Sequence, residues 1–148
     1  MKVVLASDHG GANLRSEIAS LLEEMQVEYT DSGCHCEGSV DYPDYAIPAA
    51  ERVAQGEFDY GIIVCGTGIG MSITANKVKG VRCALVHDVF SAKATRQHNN
   101  ANMLAMGERV IGPGLAREIV TVFLSSDYEA GRHATRVDKI EAYEKKKK

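Results

Sequence analysis

Apolar positions along this chain switch repeatedly between short continuous runs and a spacing of three to four. The run "KVVLA" (2–6) predicts a strand, and the segment behind it sets Leu14, Ile18, Leu21, Leu22 and Met25 on one helical face. "VEYTD" (27–31) predicts a second strand. Pro43 and Pro48 bracket the start of a helix carrying Ile47, Ala50, Val53 and Ala54, since proline is pre-shaped for a first helical turn. "DYGIIVC" reads as a buried strand, "MSITANKV" as a helix, "RCALVH" as a strand, and "DVFSAKATRQH" as a helix N-capped by Asp88. "MLAMG" and "RVIG" predict a last short strand. Gly112-Pro113-Gly114 then punctuates the chain before a helix with Leu115, Ile119, Val122 and Phe123 on one side.

Such alternation predicts the α/β class: a doubly wound, Rossmann-like parallel sheet of five strands with helices on both faces. The 148 residues suit one domain, 1–148, whose final stretch from about residue 130 forms a helical tail. Val137, Ile140 and Tyr143 give that tail a narrow apolar stripe, so it is expected to leave the body as a partner arm and to fray in its four lysines. Ligands of open parallel sheets gather beyond the carboxyl ends of the strands, and the polar loops after Ala6, Val64, Val86 and Ala105 are expected to converge there.

Composition narrows the class. Apolar residues at 45% and charged residues at 25% are globular proportions, without an apolar run of membrane-spanning length. "MKVVLASDHGG" breaks at Asp8 and reads as a strand rather than a signal peptide, which predicts a cytoplasmic protein with no membrane partner. A formal charge of −3 argues against nucleic acid, so any anion site must be local. Four cysteines in such a compartment are expected to be reduced, and Cys34-His35-Cys36 lacks the second pair that a zinc site needs.

The chemistry concentrates in "CGTGIG" (65–70). A dinucleotide fingerprint would need glycine where Met71 stands; a P-loop would need Gly-Lys-Ser/Thr, and Lys77 is too far along. A phosphatase loop of the form C-x5-R also fails at Met71. A buried cysteine in an ordinary glycine turn is the bland reading. The sharper one is a nest of backbone N–H groups opening a helix, with a thiol at its edge. Positive dipole ends draw a thiol's pKa from about 8.5 toward neutrality, which makes Cys65 a candidate base beside an oxyanion hole. Losing one such oxyanion donor typically costs about 3–4 kcal/mol.

Other polar loops are less specific. "SDHGG" places Asp8 and His9 after the first strand, either as a capped turn or as a site. His98, Asn99, Asn100 and Asn102 precede the last strand and Arg109 follows it. Arg132 and Arg136 share a helical face and can close on one phosphate, or else form a solvated face. His87 and His133 read as surface or structural histidines. Asp41-Tyr42-Pro43-Asp44-Tyr45 reads first as a helix entry, with a sugar contact as the alternative.

Taken together and in order, "SDHGG", "VDYPDYA", "CGTGIGMSITANK", "RQHNNANMLAMGERVIG" and "GRHATRV" resemble the type B ribose-5-phosphate isomerases over nearly the whole chain. The resemblance implies Cys65 as the base that moves a proton between C2 and C1, and His98 as the proton donor that opens the furanose ring. Asp8 and Thr67 would assist in binding, ring opening or proton relay. Gly66, Thr67, Gly68, Ile69 and Gly70 would hold the enediolate, Asn99 the sugar, and His9, Arg109, Arg132 and Arg136 the phosphate. It further implies no cofactor, no metal, and a homodimer or homotetramer whose sites are shared between subunits. Some relatives in that superfamily replace the cysteine with an acidic residue in the next helix; here Cys65 is present and the helix position is Met71. Six-carbon sugar phosphates, allose 6-phosphate and galactose 6-phosphate, remain alternative substrates, and a noncatalytic phosphosugar-binding module is the alternative class.

Overall fold

Val3 and Leu5 face one way from the first strand and Val4 and Ala6 the other, and both directions are fully buried. A strand enclosed on two faces belongs to a parallel sheet covered by helices, as β-branched continuous runs imply. The computed structural model describes residues 1–146. In it β1 (Lys2–Ser7), β2 (Glu28–Asp31), β3 (Tyr60–Cys65), β4 (Cys83–Leu85) and β5 (Met103–Gly107) form one parallel sheet ordered β2-β1-β3-β5-β4. The helices are α1 (Ala12–Glu24), α2 (Pro43–Ala54), α3 (Ile69–Ala75), α4 (Val89–Asn99), α5 (Pro113–Ser125) and α6 (Arg132–Lys146). Core residues of α1, α4 and α5 cover one face, and those of α2 and α3 cover the other. The doubly wound α/β class is therefore the observed one.

Several details differ from expectation. In α2 the buried residues are Ala46, Ala49, Ala50 and Val53, while Ile47 is 41% exposed and Pro48 lies inside the helix rather than at its start. Small alanines let α2 approach the sheet closely, and Ile47 is turned out by the same geometry. In α5 Ile119 and Phe123 are buried as expected, together with Ala116, Val120 and Leu124, and Val122 packs partly buried against the same core, while Leu115 is exposed. "RVIG" is not strand: the N–H of Val110 folds back onto the Gly107 carbonyl at 3.0 Å. Cys34 and Cys36 lie close together, with Cα atoms 5.3 Å apart, and the N–H of Cys36 donates to Cys34 Sγ at 3.1 Å.

The tail also departs from its prediction. Instead of leaving the body, α6 is tied down by an Arg82–Glu141 ion pair at 3.3 Å and by the N–H of Gly80 donating to Glu144 at 3.1 Å. Val137 is buried, whereas Ile140 and Tyr143 are exposed. Lys145 and Lys146 are helical, and the rest of the lysine run, residues 147 and 148, lies outside the described residues. Among the described residues no helix is long and apolar enough to cross a membrane.

The strand order matters for function. From β1 the chain crosses to β2 on one side and then returns to β3 on the other, so the ends of β1 and β3 flank a topological switch point.

Candidate active site

Two loops meet at that crevice because glycine permits it. A Cβ on Gly10 would lie 3.1 Å from the Gly66 nitrogen, and one on Gly11 would lie 2.6 Å from the carbonyl of Val64. Asp8 is almost buried, and its Oδ1 accepts from the Gly10 N–H at 2.9 Å, capping the short turn His9–Gly11. The exposed His9 is oriented from outside: its Nδ1 accepts from the N–H of Val40 at 3.1 Å.

Cys65 is the last residue of β3 and only 5% exposed. Gly68 takes a left-handed φ of 77°, which turns its N–H back toward Cys65; that N–H donates to Sγ at 3.1 Å. Thr67 is exposed and its Oγ1 accepts from the Ile69 N–H at 3.3 Å. With Gly68 and Ile69 thus engaged, the amides of Gly66, Thr67 and Gly70 meet no protein acceptor among the described residues. The oxyanion nest is accordingly narrower than the whole 66–70 run.

Arg109 reaches the same loop by way of β5. The N–H of Glu108 donates to the Cys65 carbonyl and the N–H of Arg109 to the Gly66 carbonyl, each at 3.0 Å. The guanidinium passes over Gly66, with Nε 3.4 Å from where a Cβ would stand. On the other side of the nest the Tyr42 ring lies against Gly70. Tyr42 is thus a wall of the site as well as the entry to α2.

The remaining expected residues are not here. Helix α4 runs back against the sheet, so His98 and Asn99 at its end lie at the amino edge. Asn102, just beyond them, accepts from Gly61 at the start of β3. Four strand residues, about 13 Å, separate that level from Cys65. Arg132 and Arg136 stand on α6 beside His133, which stacks on His98. One chain therefore holds two clusters on opposite edges: Asp8, His9, Cys65, Gly66, Thr67, Gly68, Ile69, Gly70 and Arg109 on one, and His98, Asn99, Arg132 and Arg136 on the other. A cavity of about 320 Å³ opens at the amino edge, with Asn76, Arg82, Asn99 and Ile140 among its walls. Burial pushes the Cys83 thiol beside it up to about 12, which disqualifies that cysteine as a base.

Two histidines set aside as structural have specific partners. His87 Nε2 accepts from the N–H of Gly107 at 2.9 Å. Burial lowers its pKa, while Asp88 acts in the opposite direction. His133 is buried, and its pKa is lowered by burial first and then by His98 and Arg132. The ligand atoms of His98, Glu129 and His133 all lie within 4.8 Å of one another, a spacing a metal ion can use. Arg132 and Arg136 place positive charge beside that cluster and disfavour a dication there.

A sequence profile of the ribose/galactose isomerases matches residues 3–140. A putative sugar phosphate isomerase of Bacillus subtilis, YwlF, is 66% identical, the match covering 99% of both chains. A D-erythrulose-4-phosphate isomerase of Pectobacterium atrosepticum is 40% identical over 100% of this chain and 98% of its own. The solved structure of a Clostridium thermocellum ribose-5-phosphate isomerase B superposes with a TM-score of 0.97 at 51% identity, covering both chains completely.

Proposed function

This chain belongs to the ribose/galactose isomerase family, and we propose that it interconverts D-ribose 5-phosphate and D-ribulose 5-phosphate through a cis-enediolate, as a cytoplasmic step of the non-oxidative pentose phosphate pathway. The observation that carries the chemistry is the Gly68 N–H donating to Cys65 Sγ at the edge of a nest with unused amides. Cys65 takes the proton from C2 of the open aldose, the electron pair forms the C1–C2 double bond, and the charge on the former carbonyl oxygen falls to the amides of Gly66, Thr67 and Gly70. Returning the proton to C1 gives the ketose. Asp8 and Thr67 relay protons between the sugar oxygens.

We further propose that the site is completed by a second copy of the chain. His98, which opens the furanose ring, and Asn99, Arg132 and Arg136 stand on the edge away from Cys65, and that separation supports their being brought to it by another subunit. His9 and Arg109 meet the phosphate from the first copy. Nothing in this scheme calls for a metal or cofactor.

The length of the sugar is the variable this scaffold leaves open, since a relative at 40% identity is named for a four-carbon substrate. Purified protein assayed with erythrulose 4-phosphate, ribose 5-phosphate, allose 6-phosphate and galactose 6-phosphate in the presence of a chelator tests the reading. The highest kcat/KM is expected with ribose 5-phosphate. Cys65→Ala is expected to lower kcat by at least about a thousandfold while phosphosugar binding persists. Near wild-type turnover in Cys65→Ala would remove the thiol as base, and a preference for another sugar would reassign the substrate.

A further inference from the structure

The sheet is finished by an imidazole where β4 gives out. Strand β4 ends at Leu85, and the Val86 N–H makes the last regular cross-strand bond, to the Ala105 carbonyl at 3.1 Å. β5 continues to Gly107, whose N–H donates to His87 Nε2 at 2.9 Å. A ring lone pair here takes the part of a strand carbonyl.

What rests on Gly107 is the glycine loop. A Cβ at Gly107 would sit 2.6 Å from the Thr67 carbonyl carbon and 2.7 Å from its Cα. A Cβ at Gly68 would sit 2.8 Å from the carbonyl carbon of Met106, the residue before Gly107. The end of β5 is therefore the floor on which Thr67 and Gly68 lie, and Gly68 supplies the N–H on Cys65.

We propose that His87 is a positioning residue for the isomerisation: its neutral imidazole, accepting from the Gly107 N–H, holds the end of β5 under Thr67 and Gly68. The nest and the sulfur then keep their relative placement. This rests on the function proposed for the glycine loop, although the hydrogen bond itself does not. The geometry has a chemical consequence. A proton on Nε2 would turn the acceptor into a donor facing another donor, and the floor would lose its support. Burial disfavours that proton, and Asp88 on the same loop favours it. The other ionisable groups set around this contact are Cys65 on the glycine loop and Glu108 and Arg109 directly after Gly107.

The test uses full-length His87→Gln and His87→Leu. Glutamine places an amide oxygen near the position of Nε2 and does not titrate, whereas leucine fills space and accepts nothing. His87→Leu is expected to lower kcat about tenfold or more with KM nearly unchanged, and His87→Gln to restore kcat to within about threefold of wild type at pH 7.5. Independently of turnover, the ¹⁵N–¹H resonance of Gly107 is expected to titrate with a midpoint below 6.5 in the wild type and to stay fixed in His87→Gln. Wild-type kcat in His87→Leu, or a Gly107 resonance that titrates equally in wild type and His87→Gln, overturns the proposal. If His87→Leu does not fold, the Gly107 titration decides alone. That readout also separates failure of this proposal from failure of the assigned reaction.

Discussion

His133 lies flat against His98, with ring centroids 4.3 Å apart and planes within 14° of parallel. The stack joins the end of α4 to the start of α6, and Glu129 stands 3.8 Å from His133 Nε2. It thereby fixes the ring proposed to open the sugar, together with the helix that carries Arg132 and Arg136.

A stack of two rings tolerates one positive charge poorly and two worse. Burial, then His98 and Arg132, lower the pKa of His133, so the fold prefers the neutral ring. Its contribution is intact above the unfolded value of about 6.5 and is lost as pH falls from there through the folded pKa. His133→Phe keeps a ring in the stack and removes the titration. Between pH 7.5 and 5 the melting temperature of the wild type is expected to fall more than that of His133→Phe. Parallel curves for the two proteins would contradict this.

Glycine substitutions at the crevice should separate backbone contacts from side-chain ones. Gly11→Ala pushes a methyl into the Val64 carbonyl at 2.6 Å and is expected to destabilise by about 1–3 kcal/mol. Gly70→Ala meets the Tyr42 ring, which is 41% exposed and free to swing outward, so its effect on stability is expected to be smaller. Denaturant melts of the two variants measure the difference, and equal losses would contradict the distinction.

Much of this was legible locally. Asp88 was readable as an N-cap, and its side chain does accept from the Ser91 N–H at 2.7 Å, because capping depends only on neighbouring residues. The end of β3 at Cys65 was legible for the same reason. Helix phase was harder: alanine and isoleucine are both apolar, and only the close approach of α2 to the sheet decides that Ala46 and Ala49 go in while Ile47 goes out. The two edges of the site were missed although the signal was present. A helix between parallel strands must return to the amino edge, so His98 at the end of α4 belonged there from the alternation alone. His133 and His87 gave no comparable signal, since their partners, His98 and the Gly107 N–H, are set by packing and not by spacing.

The arginines offer a kinetic test. Contacts to a phosphate remote from the reacting carbons are made equally in ground and transition states, so Arg132→Ala and Arg136→Ala are expected to raise KM at least about tenfold with kcat little changed. An unchanged KM with undiminished inhibition by inorganic phosphate would take either residue out of the clamp.

In the proposed reaction Cys65 and His98 act from different subunits. Cys65→Ala and His98→Ala, each purified and nearly inactive, can be denatured together, refolded as an equal mixture and assayed with ribose 5-phosphate. In a mixed twofold dimer one site receives both intact residues and the other neither, so random pairing is expected to restore about a quarter of wild-type activity. If the mixture stays as inactive as its separate components, after wild type taken through the same cycle regains its activity, the two residues do not meet across subunits.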